Sequence, residues 1–411
     1  MPGSTPGPSL VLLRNADVYA PEPLGRRSLL LGGGRILAIA AADAAPPAGF
    51  DCEVIELDGR RLIPGLIDGH VHVTGGGGEG GFATRVPAPA LSRYTRGGVT
   101  TVIGLLGTDD CARSTRELVA TVLALREQGL SAWAHCGGYH LPPTTLTGSV
   151  RADIAFVDPL IGVGEVALSD HRSSQPTFDE LLRLASEAHV AGLMSGKAGI
   201  VHLHLGDGPR GLELVRRALD TSEIPARVFN PTHVNRRTAL FEEALELARR
   251  GCTVDITAFP VEDGEDAYTA ADALLRYLDS GAPAQHVTIS SDAGGCLACF
   301  DHRGQLCGFG VGDPGAMSAT LAELLRRGQP LERVLPAFTT NVAALLRLPG
   351  KGRIAVGADA DLVALDSDHR VHDVFAGGVP HVRAGACVRA GAFETAAAAA
   401  ASHAPDPHHH D

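Results

Sequence analysis

Pro64-Gly65-Leu66-Ile67-Asp68-Gly69-His70-Val71-His72 is a short apolar run that ends on two histidines two positions apart. Side chains alternate along an extended strand, so both imidazoles project from one face. Neutral imidazoles paired this way suit a divalent first-row metal. By itself the pair is equally at home on the solvent side of an edge strand. Its weight comes from the texture that begins here. Strand-like runs recur at Leu66–Val73, Thr100–Leu106, Ser131–Cys136, Ile161–Leu168, Ile200–Leu205, Ala226–Phe229, Thr253–Ile256 and Val287–Ser291. Helical patterns lie between them, at Ser114–Gln128, Phe178–Ala191, Gly211–Asp220, Thr238–Arg250 and Asp266–Asp279. In Phe178–Ala191 the apolar residues Phe178, Leu181, Leu182, Ala185 and Ala188 fall on one helix face. Eight strands alternating with helices is the pattern of an α/β fold, a (β/α)8 TIM barrel.

The flanks differ from this middle. Leu10–Leu13, Ser28–Leu31, Arg35–Ile39 and Glu53–Leu57 precede it as short β-like stretches, and Arg353–Ile354, Asp361–Leu365, His372–Phe375 and His381–Val382 follow it. The expected organisation is a small β-sandwich built from residues 1–63 and 348–393, a barrel over 64–347, and a disordered tail over 394–411. The three histidines of that tail, His408 to His410, read as part of a frayed end. The chain has 411 residues with Lys+Arg 35 against Asp+Glu 47, a net charge of -12. That balance argues against a nucleic-acid or anionic-membrane partner. Eight scattered cysteines, an N-terminus without a basic and apolar leader, and no long apolar run point to a soluble cytoplasmic protein with reduced thiols.

In a parallel barrel the C-terminal ends of all strands meet at one mouth. Glu165 lies in the fourth strand run, His204 ends the fifth, His233 follows the sixth and Asp292 follows the eighth. With His70 and His72 they supply four imidazoles and two carboxylates, enough for two ions sharing a bridging carboxylate. Two ions ~3.5–4 Å apart ionise a bridging water and polarise a carbonyl, which is what hydrolysing an amide requires.

These features resemble the amidohydrolase superfamily, as does Gly352-Arg-Ile-Ala-Val-Gly-Ala-Asp-Ala-Asp-Leu362, which is similar to the segment re-entering the small β-sandwich there. More narrowly, His70-Val-His-Val-Thr-Gly-Gly-Gly-Gly-Glu79, Gly104-Leu-Leu-Gly-Thr108, Gly138-Tyr-His140, Gly148-Ser-Val150, Ser169-Asp-His-Arg172 and Pro231-Thr-His-Val-Asn-Arg236 resemble the isoaspartyl dipeptidases. The resemblance spans residues 64 to about 362. It implies a homo-oligomeric metallo-dipeptidase with two divalent ions, Zn2+ first among them, and a bridging hydroxide attacking the isopeptide carbonyl of a β-aspartyl dipeptide. His70, His72 and Asp292 would hold one ion and His204 and His233 the other. Asp292 would serve as general base and acid, and Tyr139 would donate to the oxyanion. Glu79 would meet the substrate's ammonium, Arg172 and Arg236 its carboxylates, with Gly77 and Thr108 lining the pocket. The alternatives are a related amidohydrolase acting on a cyclic amide or an N-acyl amino acid, and a barrel that only binds.

Two departures from the family pattern stand out. The type members bridge their metals with a carboxylated lysine, and Glu165 occupies that place here. The chain has two lysines, Lys197 before the fifth strand and Lys351 beyond the barrel, and neither is placed to bridge. A glutamate offers the same two oxygens. Cys296 stands where the family places a substrate-binding serine, and a thiol is the weaker hydrogen-bond partner. Other motifs read as decoys. Gly75–Gly80 satisfies G-x-G-x-x-G but has Thr100 where a dinucleotide site needs an acid. Cys296-Leu-Ala-Cys299 is a lone CxxC. His202 forms a second HxH with His204 and reads as packing, because it lies deeper in its strand.

Overall fold

A computed structural model describes residues 10–262, 264–300 and 306–395; the side chains of 298–300, 306 and 307 are outside it. His408 to His410 and the side chain of Cys299 therefore lie outside the described residues. Eight parallel strands form the barrel: β1 Leu66–Val71, β2 Val99–Gly104, β3 Ser131–Cys136, β4 Leu160–Leu168, β5 Val201–Leu205, β6 Phe229–Thr232, β7 Val254–Thr257 and β8 Val287–Ser290. β1 to β6 are hydrogen-bonded in chain order, and β7 pairs with β8. A parallel bridge between Val71 and Ala293, with His72 N donating to Ala293 O at 2.8 Å, closes β8 onto β1.

The seam between β6 and β7 is made by side chains. Asn230 Nδ2 donates to Thr253 O at 2.7 Å and Thr232 Oγ1 to Asp255 Oδ2 at 2.7 Å. Asn235 caps it, donating from Nδ2 to Thr257 O at 3.0 Å and accepting from Thr257 N at 2.9 Å. The sixth strand starts three residues later than the expected Ala226–Phe229, because Ala226–Val228 is a 3-10 turn. Arg353–Ile354, expected as β, lies outside any strand.

The barrel interior is apolar at one end and polar at the other. Ile67, Ile103, Ile161 and Ile200 pack with Val342, Ala343 and Leu346 into a plug. The helix Phe178–Ser195 carries a capping box from Thr177 and Glu180 and ends on Gly196 in the left-handed region. It runs a turn past the expected Ala191, burying Leu181, Leu184, Ala185 and Ala188.

Both chain ends contribute to one nine-stranded sheet of the sandwich. They meet where Arg61–Pro64 pairs antiparallel with Leu362–Leu365, immediately before β1. That strand is buried on both faces: Leu362 and Ala364 enter the sandwich core with Leu29, Leu31 and Phe375, whereas Val363 and Leu365 join the barrel core. Among the described residues no helix is long and apolar enough to cross a membrane.

Candidate active site

The mouth of the barrel gathers all six expected ligands, each at 8% exposure or less. His70 closes on β1 and His72 follows it. Glu165 sits on β4 and His204 on β5. His233 and Asp292 come directly after β6 and near the end of β8, both in the left-handed region, at φ 59 and 55. That backbone is uncommon for a residue with a side chain and is typical of sites where the chain must aim one.

Glu165 stands between the histidine pairs. Its Oε1 is 3.3 Å from His72 Nε2, and its Oε2 is 3.5 Å from His70 Nε2, 3.1 Å from His204 Nδ1 and 3.5 Å from His233 Nε2. Asp292 Oδ1 lies 3.3 Å from His70 Nε2 and 3.1 Å from His72 Nε2. Ligands at ~2.0–2.1 Å around a tetrahedral ion are about 3.3 Å from one another, so the first group already has the spacing of a coordination shell. His70 Nε2, His72 Nδ1 and Asp292 Oδ1 are buried with no hydrogen-bond partner. Glu165, His204 and His233 form a second cluster with ligand atoms within 4.8 Å, sharing Glu165 with the first. The donor set and its orphaned atoms fit two divalent ions around one carboxylate.

The electrostatics agree. Burial works against ionising Glu165, but His70 and the other facing imidazoles outweigh it and hold the carboxyl well below its usual range. Asp292 is held low in the same way by His70 and His72. Burial would depress His72, yet Asp292 and Glu165 push it up to about 10. Two ionised carboxylates in a buried pocket demand positive charge close by. His233 and His202, by contrast, are pushed down to about 3, chiefly by burial, and stay neutral.

One cavity brings the other expected residues to the ligands. His72, Glu165, His204 and Asp292 form one side of it; Gly77, Glu79, Thr108, Tyr139, Arg172, Arg236 and Cys296, with Gly107 and Leu297, form the rest. Tyr139 Oη is 2.8 Å from His204 Nδ1. Thr108 Oγ1 donates to Glu79 Oε1 at 3.0 Å, and Arg172 Nη1 reaches the same oxygen at 3.4 Å. Arg236 Nη1 donates to Leu205 O at 2.8 Å. Burial beside Glu79 pushes the Cys296 thiol up to about 12, so it stays protonated. Gly295 is what lets this wall close: a Cβ there would lie 2.2 Å from Asp292 Oδ1 and 2.8 Å from His72 Cδ2.

Residues outside the expected ligand and substrate-binding set surround and support it. Asp170 accepts from Arg172 Nη2 at 2.7 Å and faces His204 Nε2 at 3.0 Å, so one carboxylate orients an arginine and a histidine of the cluster. Thr257 Oγ1 lies 2.7 Å from His233 Nδ1. His202 is not mere packing: its Nε2 is 2.8 Å from His70 Nδ1. Asp68 accepts from Ser291 N at 3.1 Å and from the Ser291 hydroxyl, tying β1 to β8. His140 is held by Asp110 at 2.9 Å. His135 stacks on His202 at 5.5 Å, and His171 is exposed. Both lysines sit at the opposite end of the barrel. Lys197 Nζ donates to the carbonyls of Ile154, Val157 and Leu160, and Lys351 Nζ pairs with Asp359 at 2.7 Å and with Asp361.

Comparison with known proteins gives a consistent placement. The profile of the amidohydrolase family matches residues 61–387. A β-aspartyl dipeptidase of Fervidobacterium islandicum AW-1, solved with a β-Asp-Leu dipeptide, is 41% identical with a TM-score of 0.90, over 95% of this chain and all of that one. An allantoinase of Streptomyces avermitilis is 26% identical over 409 residues, 87% of this chain and 86% of the relative. A D-hydantoinase from Thermus sp. shares the fold, at a TM-score of 0.64 and 18% identity over 92% of this chain and 96% of that one. Profile, identity and architecture converge on one assignment: the chain belongs to the amidohydrolase family and is a hydrolase.

Proposed function

We propose that the enzyme hydrolyses β-aspartyl dipeptides with two divalent ions, most naturally zinc, held by His70, His72, Glu165, His204, His233 and Asp292. The observation that carries this reading is the cavity itself, in which one carboxylate and two guanidinium groups face the ligand cluster. A zwitterionic substrate with an ammonium and two carboxylates complements that set, and a neutral ring does not. The 41% identity to a β-aspartyl dipeptidase over nearly the whole chain supports the same substrate class.

When bound, the ions supply an activated water and polarisation of the scissile carbonyl. The protein's groups do the rest. Glu79, fixed by Thr108, receives the α-ammonium. Arg172, fixed by Asp170, and Arg236, fixed by the Leu205 carbonyl, take carboxylates through their planar forks. Tyr139 donates its hydroxyl to the oxygen on which charge develops; burial pushes its pKa well up, so that proton stays in place. Asp292 Oδ1, ionised and without a hydrogen-bond partner, accepts the proton of the attacking water and passes it to the leaving amine. Unpaired thiols at Cys52, Cys111, Cys136, Cys252, Cys296 and Cys387 support a reducing cytoplasmic location.

Zinc-loaded protein incubated with β-Asp-Leu is expected to release free aspartate and leucine. No turnover across a panel of β-aspartyl dipeptides, with turnover of a hydantoin or an N-acyl amino acid instead, would sink the substrate assignment. Glu165→Ala is expected to lose bound zinc by elemental analysis, and a variant retaining two ions per chain would refute the bridging role.

A further inference from the structure

His202 and Asn230 are each 2% exposed and stand behind the ligand cluster, outside the cavity. Asn230 Nδ2 donates to Thr253 O at 2.7 Å, which turns the amide oxygen toward His202 Nδ1, 2.6 Å away. Because a backbone carbonyl only accepts, the amide cannot be the other way round. Oδ1 also only accepts, so His202 Nδ1 carries the hydrogen and Nε2 of the neutral ring is a lone pair. That lone pair faces His70 Nδ1 at 2.8 Å, which must then be protonated. In the neutral ring that a metal ligand requires, His70 Nε2 is then the lone pair, on the buried atom that lies 3.3 Å from Asp292 and 3.5 Å from Glu165.

We propose that His202 and Asn230 are positioning residues: a hydrogen-bond relay starting at the Thr253 carbonyl locks His70 in the one tautomer that can bind a metal through Nε2. This rests on the reading of His70 as a ligand. The relay has a direction, and the direction can be reversed. Without the Asn230 oxygen, His202 is free to move its hydrogen to Nε2. It would then donate to His70 Nδ1 and drive the hydrogen of His70 onto the metal-facing nitrogen.

Zinc affinity of the metal-free full-length protein, measured by chelator competition, tests the relay. His202→Leu and Asn230→Leu are each expected to weaken zinc binding about 10–100-fold. Asn230→Asp keeps an acceptor oxygen for His202 Nδ1 but gives up the amide donor to Thr253 O, and is expected to lose less zinc affinity than Asn230→Leu. KM for β-Asp-Leu at saturating zinc should change less than about twofold in all three, since neither residue lines the cavity. Unchanged affinity in Asn230→Leu, or an equal loss in the Asp and Leu variants, overturns the relay. If His202→Leu does not fold, the Asn230 pair decides alone. His70→Ala separates the two readings. If it retains zinc at both positions, the ligand assignment fails and the relay with it. If it loses zinc while the Leu variants do not, only the relay fails.

Discussion

Gly164 immediately precedes the carboxylate on which the two histidine pairs converge, and its backbone has no room for a side chain. Its φ is 142, and a Cβ would sit 2.4 Å from the carbonyl oxygen of His202. Gly164→Ala is therefore expected to destabilise the fold by about 3 kcal/mol or more, seen as a lowered urea midpoint. Cys296 makes the opposite prediction. Its thiol is protonated and lines the cavity near Glu79, so Cys296→Ser replaces a weak donor with a strong one. One added hydrogen bond is worth about 0.5–1.5 kcal/mol, and KM for β-Asp-Leu is expected to fall roughly two- to tenfold. An unchanged KM would show that residue 296 does not touch the substrate. At this scale the six candidate ligand residues were legible because strand ends and an HxH pair leave a pattern. Asp170, Asn230 and Thr257 were not, since a lone polar residue has no period and its partner is distant in sequence. Asp170 still carried a hint, standing two residues before Arg172 at the end of the same strand.

Elements were legible where apolar runs are long. β4 and β5 are buried throughout, and their runs mark them plainly. The sixth strand slipped because its apolar run, Ala226–Phe229, starts in a 3-10 turn while the strand itself runs on through Pro231, a residue uncommon in strands. The structure accommodates that proline beside the β6–β7 seam, which side chains rather than a backbone ladder hold together. The segment after the barrel misled differently: Arg353–Ile354 lies in a loop, with Arg353 paired to Glu22 at 2.8 Å and Ile354 buried in the sandwich core. Lys351 Nζ joins Ser131 at the start of β3 to Asp359 and Asp361, just before the strand Leu362–Leu365. Asp359 also pairs with Arg35, at 2.6 Å, whereas Asp361 is held by Lys351. Lys351→Met leaves a buried carboxylate uncompensated and is expected to cost about 3 kcal/mol, read as a lower urea midpoint with KM unchanged.

Over the whole molecule, barrel and sandwich share the strand Leu362–Leu365, whose alternate residues enter different cores. Neither core can open without uncovering the other, so fluorescence of the single tryptophan, Trp133 on β3, and far-UV circular dichroism should trace one transition. That junction also contains an acid-sensitive group. His381 is fully buried in the strand Val379–Arg383, facing Gly129 of the barrel, and neither ring nitrogen has a hydrogen-bond partner. Burial, helped by Arg389, pushes its pKa down to about 4. In the unfolded chain His381 takes up a proton near pH 6.5, while the folded ring stays neutral until about pH 4. Between those values the unfolded state binds more protons, so stability falls as the pH falls, by at most about 3 kcal/mol from this residue. Below pH 4 both states are protonated and the loss is complete. His381→Leu removes the titration. Comparing urea midpoints of the two proteins from pH 7.5 to pH 4, the variant is expected to gain on the wild type across this window and to track it in parallel above pH 7.5. A constant difference at every pH would mean that the folded ring titrates as it does in the unfolded chain.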